Sequence, residues 1–325
     1  MSILRRFFRS SISGPLVALV LAVILVSLST NRFLSGQNLS NVSLQVSPVA
    51  IAAIGATLVI LTGGIDLSPG AVVALTSCAL AIFAKNLGIP IGISIVMVLG
   101  LGLLLGFVNG FFSTYGRIPS FIVTLAALGI YRGLAFLITN GSPIFSVSPA
   151  LNPLFYGNLL GIPLPLIYVL VLYFLTWIFL NYTIPGRNIY AVGGNESAAQ
   201  LSGIKVNQTR LIAFTIAGLS SSIAGILTVA QLDSGSPNYG AGTELEAIAA
   251  AVIGGTSLAG GYGNIASTLL GALTVQVVKN GLNLNMVPAS WREITLGSII
   301  VLAVGVDMWR ATLSERFSQI FSRTR

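Results

Sequence analysis

The sequence predicts an all-α polytopic membrane protein with about ten transmembrane helices, some of them broken or partial. Three observations predict it. Of 325 residues, 54% are hydrophobic and 7% charged, whereas an ordinary soluble domain carries about 25% charged residues, so most of this surface faces something other than water. The apolar residues fall in runs near the roughly 20 residues that cross a hydrocarbon core. The longest polar stretches, residues 183–210 and 139–162, fall short of the roughly 50 residues a soluble domain needs. The whole chain, 1–325, therefore reads as one transmembrane domain.

The first run, in "MSILRRFFRSSISGPLVALVLAVILVSLST", has the basic start of a signal peptide but no convincing small-x-small cleavage site, and reads as an uncleaved span over 15–31. Spans follow at 46–63, 68–85, 90–113 and 119–138, then at 163–182, 210–231, 242–256, 263–283 and 292–309. Ten spans put both termini on one side. Cytoplasmic termini place Arg5, Arg6, Arg9, Arg117, Arg187, Lys205, Arg210, Arg310, Arg316, Arg323 and Arg325 inside, with only Arg32, Lys85 and Arg292 in or beside outer loops. The positive-inside rule favours that orientation.

Two regions look irregular. Glu244 to Gly255 is 12 residues, roughly 18 Å of helix against a core of about 30 Å. Before "GGIDLSPG", Pro48 limits how far an unbroken helix extends backward. Broken helices at membrane depth mark substrate paths in transporters; the competing reading is that these helices start earlier or tilt. "GGIDLSPG" (63–70) and "GGTSLAGG" (254–261) share three glycines and a leucine, a weak internal repeat at two cytoplasmic turns.

Several chemistries are excluded. The charge of +8 is spread between apolar runs instead of clustering on a face with stacking aromatics, so it does not indicate nucleic acid. The glycine-rich stretch 244–268 holds no lysine, as a phosphate-binding loop requires, and no strand context for a dinucleotide fold. One cysteine, Cys78, and no histidine leave no internal disulfide, no Cys/His metal site and no Ser/His or Cys/His pair. An aspartyl dyad would need Asp66 and Asp307 to meet, without a sequence signal that they do. The chain reads as a non-enzyme. Its glycines suit close helix approach, as at Gly102, Gly106 and Gly110, which share one helix face.

Polar groups in or beside spans are the functional candidates. Asp66 lies at a turn where Ser68 can cap a helix that Pro69 begins, so helix-end chemistry competes with a role in a path. Arg132, toward the outer end of its span, either snorkels outward or faces a cavity. Glu244 and Glu246 sit at the outer rim, solvated or paired to a basic residue of a partner. Asn109, Asn280 and Asn283 either line a polar path or join helices. On the cytoplasmic side, "IPGRNIYAVGGNESAAQLSGIKVNQTR" (184–210) holds a short helix capped by Asn195, a suitable lever for a soluble partner if it is not an ordinary loop.

The segments "GRNIYAVGGNESAAQLSGI", "ELEAIAAAVIGGTSLAGGYGNIASTLLGAL", "TLVILTGGIDLSPGAVVALT", "GRIPSFIVTLAALGIYRGLAFLITNGSPI" and "NGLNL" together resemble the ribose-type sugar permeases of bacterial ATP-binding-cassette (ABC) importers, over residues 15–307. That resemblance implies a ten-helix permease subunit in a bacterial cytoplasmic (inner) membrane, surrounded by lipid and paired with a second permease copy, identical or a sister chain. It implies a partner ABC ATPase that carries the ATP and magnesium, with no cofactor in this chain, and a periplasmic or lipid-anchored sugar-binding protein. By position, Gly186, Arg187, Gly193, Gly194, Asn195, Ala198, Ala199 and Gly203 look like the ATPase-coupling region. Gly63, Gly64, Asp66 and Ser68, with Gly254, Gly255, Thr256 and Ser257, look like the cores of the paired repeats. Pro69 stands where such permeases usually carry valine, Glu246 where aspartate is common, and Pro185 where a bulky residue precedes the Gly-Arg pair. The alternative is an ion-coupled carrier or a channel for small polar solutes, which should place ionisable or cation-coordinating groups at the bilayer midplane. Gly255→Leu is expected to impair uptake or assembly by blocking close helix approach; unchanged uptake and expression would contradict this.

Overall fold

The computed structural model describes residues 12–305 apart from 296 and 303. Arg5, Arg6, Arg9, Asp307, Arg310, Arg316, Arg323 and Arg325 lie outside the described residues. The helices are α1 (Ser13–Ser29), α2 (Gly36–Leu61), α3 (Pro69–Ala81, continued by a π-helical turn over Ile82–Asn86), α4 (Ile91–Thr114), α5 (Ser120–Thr139) and the short α6 (Asn152–Tyr156). They continue as α7 (Leu164–Tyr182), α8 (Ile184–Gly194), α9 (Glu196–Leu201), α10 (Val206–Leu232), α11 (Thr243–Ile253) and α12 (Ile265–Leu284). Residues 289–305 are helical wherever described. A 3-10 turn over Pro149–Leu151 and two antiparallel strand pairs complete the described structure: β1 (Ile144–Phe145) with β4 (Ser234–Gly235), and β2 (Asn158–Leu159) with β3 (Ile162–Pro163).

The chain is an all-α polytopic membrane protein. Among the described residues, seven helices are long and apolar enough to cross a membrane: α2, α3 with its π turn, α4, α5, α7, α10 and α12. Of the other three predicted spans, α1 is apolar but 17 residues long. The eighth is reduced to α11, 11 residues or about 16 Å. The tenth is the helical stretch 289–305.

The prediction of a break before "GGIDLSPG" is corrected. α2 runs unbroken for 26 residues with Pro48 inside it and begins at Gly36, where Ser35 accepts a hydrogen bond from the Asn38 amide. The residues flanking Pro48 are packed in the bundle, so the one lost backbone hydrogen bond does not end the helix. The interruption falls after α2 instead.

α10 lies at the centre, against α2, α3 and α4. The seam between α4 and α10 has no room for a side chain at its central glycines: a Cβ on Gly106 would overlap the Phe214 carbonyl oxygen, and one on Gly218 would overlap the Gly102 carbonyl oxygen. On the other side, α2 and α12 run antiparallel and are joined by polar rungs. Asn38 and Asn280 exchange two amide hydrogen bonds of 3.0 Å, Gln276 donates to Gln45 at 3.0 Å, and the hydroxyls of Thr57 and Thr268 lie 3.0 Å apart. Asn280 therefore joins helices.

Gly218→Val is expected to prevent close approach of α4 and α10, costing about 1–3 kcal/mol or more and lowering the melting temperature of the purified protein. Gly129→Ala, on a helix face with nothing within 4 Å, is expected to be neutral or stabilising.

Candidate functional site

Two helices are interrupted from opposite ends of the bundle. At the end of α2 the chain turns at Gly63 (φ 77°) and runs back into the bundle as the extended segment 64–68. α5 holds that segment: the Ile65 amide donates to Ser120 Oγ at 3.0 Å, and Thr124 Oγ1 donates to the Ile65 carbonyl at 3.2 Å. α3 then starts at Pro69. At the opposite end, α10 stops at Asp233 (φ 46°), and residues 233–242 descend along α3 in the reverse direction. A Cβ on Gly235 would lie 2.7 Å from Ala81 Cβ, and one on Gly240 would lie 2.8 Å from Val73 Cβ. α11 begins where this descent ends. The first turns of α3 and α11 are in contact, since a Cβ on Gly70 would overlap the Glu244 carboxylate. The echo between 63–70 and 254–261 relates two turns that meet at one end of the bundle, where a Cβ on Gly260 would lie 2.8 Å from the Gly63 nitrogen, and not the two helix starts. Gly70 opens a helix, whereas its counterpart Gly261 (φ 71°) sits in a turn, and the structural counterpart of 62–68 is 233–242.

A buried polar chain fixes the start of α3. The Ser68 amide and hydroxyl both donate to Asp66 Oδ1, at 2.8 and 2.7 Å. Asn109 Nδ2 on α4 donates to Ser68 Oγ at 2.8 Å, and the Tyr131 hydroxyl on α5 donates to Asn109 Oδ1 at 2.8 Å. Pro69 takes the first turn as predicted, but the Ser68 side chain makes no capping bond to α3. Asp66 holds the turn instead, and Asn109 joins helices.

The outer-rim assignments are also corrected. Arg132 donates to the carbonyls of Pro237 (3.0 Å) and Tyr239 (3.4 Å), so it holds the segment 233–242 against α5. Glu246 is buried on α11 and pairs with Lys279 of α12 at 2.5 Å, within the chain, so it is not a solvated carboxylate. Glu244 faces the start of α3, with Oε2 buried and unpartnered. Asn283 accepts a hydrogen bond from the Arg292 guanidinium.

The segment 184–210 is two helices and a turn. Thr183 Oγ1 caps α8 by accepting from the Gly186 amide at 3.2 Å, and Pro185 lies in the first turn, where no amide is needed. Pro185 therefore starts α8 without disturbing it. Gly186 is needed because a Cβ there would overlap the Phe179 carbonyl oxygen, where α8 folds off α7. Asn195 caps α9 as predicted, accepting from the Ala198 amide at 2.9 Å. Ala199 is buried with Val192 and Val206, Glu196 pairs with Arg210 at 2.6 Å, and Gly203 (φ 81°) turns the chain into α10. Arg187, Gly194, Asn195 and Ala198 are exposed.

The last turn of α8 presses on both glycine turns at once. The Gly261 amide donates to the Leu61 carbonyl at 2.9 Å. Gly193 lies against that bond: a Cβ on it would overlap the Leu61 oxygen and lie 2.5 Å from the Gly261 nitrogen. A Cβ on Gly260 would lie 2.8 Å from the Gly63 nitrogen. The Tyr190 hydroxyl adds a hydrogen bond to the Gly263 carbonyl at 3.2 Å. Beside Gly63 and Gly64 opens a cavity of about 670 Å³, with Ser120, Arg117, Gln200 and Arg210 in its walls.

Four of the predicted residues are thus brought together here: Gly63, Gly64, Gly193 and Gly194. Gly254 instead approaches α12, with a Cβ position 2.7 Å from the Ser267 carbonyl oxygen, and Gly255 (φ 82°) supplies the left-handed turn beside it. Thr256 is buried behind that turn, which the Ser257 amide closes on the Tyr262 carbonyl at 2.9 Å. Close approach therefore belongs to Gly254, and the burden of Gly255→Leu would be backbone strain. Sequence reasoning missed Tyr131, Tyr190, Gly260 and Gly261; the pair Gly260–Gly261 was visible as a glycine doublet, the tyrosines carried no signal.

A bundle whose two interrupted helices enter from opposite ends and start side by side is the architecture of a membrane permease. The chain belongs to the family described as branched-chain amino acid transport system / permease component, whose sequence profile matches residues 38–304. It is similar to the ribose import permease protein RbsC of Escherichia coli strain K12, 43% identical over 298 residues covering 90% of this chain and 92% of that protein. RbsC of Bacillus subtilis strain 168 is 40% identical over 296 residues, covering 90% of this chain and 92% of that protein. The xylose transport system permease protein XylH of E. coli strain K12 is 34% identical over 355 residues, covering 90% of each chain. No solved structure matches.

Asn109→Ala is expected to remove two hydrogen bonds, leaving the Ser68 hydroxyl with Asp66 and the Tyr131 hydroxyl with the Leu105 carbonyl at 3.1 Å, at about 0.5–1.5 kcal/mol per lost bond. A lower melting temperature would show it, with Tyr131→Phe giving the smaller loss.

Proposed function

We propose that this chain is the membrane-spanning subunit of an ABC importer for a monosaccharide, ribose or a related sugar, and forms the translocation path by alternating access. The observation that carries the reading is the direct backbone contact of α8 with both glycine turns, because it gives a soluble motor a mechanical hold on both interrupted helices. The ribose and xylose names of the relatives support the sugar class.

In this reading the termini, α8 and α9 are cytoplasmic, in agreement with the distribution of arginine and lysine. α8 and α9 dock on a partner ATPase, which binds and hydrolyses ATP with magnesium; this chain carries no cofactor and no catalytic residue. A periplasmic or lipid-anchored binding protein delivers sugar at the opposite face, and a second permease copy completes the path. ATP-driven closure of the motor pushes α8, and the two turns carry that displacement to the starts of α3 and α11. A carrier driven by ions needs an ionisable group free to load in the membrane. Asp66 and Glu246 are engaged by Ser68 and Lys279, which leaves Glu244, with Oε2 unpartnered at the start of α3, as the carboxylate on which such a carrier would have to rely.

Pull-down of the intact chain from native membranes is expected to bring a Walker-motif ATPase with it, and loss of the binding protein to abolish uptake. Sugar movement down an ion gradient by the chain alone would contradict the reading. Within the assembled importer, Gly193→Ala is expected to uncouple ATP hydrolysis from uptake. Gly194→Ala, whose added methyl meets nothing closer than 4.0 Å, is expected to keep both.

A further inference from the structure

The end of the bundle opposite the glycine turns carries a small structure to which the transport reading gives no role. Between α6 and α7, β2 and β3 form a two-residue hairpin with Leu160 (φ 53°) and Gly161 (φ 81°) at its tip. Positive φ at both central residues defines a type I′ turn, where Asn-Gly or Asp-Gly is the favoured pair and a bulky residue in the first position is strained. Here that position holds a leucine that is 95% exposed, so no packing within the chain rewards it. Leu159, Ile162 and Tyr156 are exposed beside it.

The mount is rigid. The Leu164 amide, first in α7, donates to the Gly157 carbonyl at 2.9 Å, and the Tyr156 hydroxyl donates to the Gln231 carbonyl at 2.8 Å, at the end of α10. α7 itself exposes Leu170, Val171, Phe174 and Leu175 along its length, a face that a membrane covers. The hairpin therefore sits at the head of a lipid-facing helix. From Gly133 to Gly186 the chain contains no Asp, Glu, Lys or Arg. A docking face for a soluble protein is rimmed by polar and charged groups that steer and orient the partner; the hairpin carries no charge and one exposed polar side chain, Asn158, while Lys85 and Asp233 are tied to the backbone of the neighbouring loop at Phe145, Val147 and Ser148. An apolar tip with an aromatic at its base matches shallow insertion at the headgroup and acyl boundary, where the outer backbone groups of the strands still reach water.

We propose that the hairpin 156–163 dips into the leaflet at this end of the bundle, with Leu160 as its deepest residue and lipid as its occupant. It would act as an anchor for the loop 140–163, which is also tied to the second interrupted helix through the β1–β4 pair.

The test uses the full chain in lipid nanodiscs with Cys78→Ser and Leu160→Cys, carrying an environment-sensitive fluorophore, and a matched Leu201→Cys probe on exposed α9. Insertion predicts blue-shifted emission at position 160 and quenching by lipids spin-labelled high on the acyl chain that exceeds quenching by aqueous iodide several-fold, with the reverse at position 201. Iodide quenching at 160 equal to that at 201 would overturn the proposal. So would a probe insensitive to spin-labelled lipid that is shielded only on adding a soluble sugar-binding protein. If Leu160→Cys fails to assemble, Leu159→Cys carries the same probe and the same two outcomes. Neither result depends on the identity of the transported sugar or on a motor.

Discussion

Backbone-to-backbone contact at the last turn of α8 is the constraint on which the rest depends. Gly193 lies against the hydrogen bond from the Gly261 amide to the Leu61 carbonyl, with no side chain between. A contact through flexible side chains absorbs small displacements; one between main chains transmits them, because interiors are close-packed and resist compression. α8, the turn after α2 and the turn after α11 are thereby held as one unit; the first turn leads into the extended segment before α3, and the second closes the partial helix α11.

The interruptions are stable because each extended segment has a partner for its polar groups. Backbone without helical hydrogen bonds is tolerated at membrane depth only against protein or water. Ser120 and Thr124 serve Ile65, the chain of Asp66, Ser68, Asn109 and Tyr131 fixes the start of α3, and Arg132 serves Pro237 and Tyr239. Deep glycine packing of α4 on α10, and the amide rungs between α2 and α12, frame the two breaks.

Much of this was legible in the sequence because it depends on local pattern. Apolar runs marked the spans, Asn195 marked the start of α9, and the brevity of 244–255 marked α11 as a partial helix. What was not legible depends on partners distant in the chain. Pro48 drew suspicion to α2, yet packing around it preserved the helix, and the break came where Gly63 allows a left-handed turn. Glu246 reads as solvated or paired to a partner because nothing local announces Lys279, 33 positions away. The descent of 233–242 along α3 was equally silent, since its small and polar residues read as an ordinary loop. Gly254 and Gly255 looked equivalent, while one serves close approach and the other positive φ.

The claim that the α8 junction moves as a body is tested most directly by distance measurement between spin labels. With Cys78 replaced, labels at the exposed residues Ala191 and Ala259 would report across the junction in the assembled importer, before and after ATP binding. The account predicts that this distance stays unchanged, while the distance from Ala191 to a label at exposed Leu245, near the meeting point of α3 and α11, changes with the motor. A junction distance that shifts with ATP while the Ala191–Leu245 distance stays fixed would contradict it.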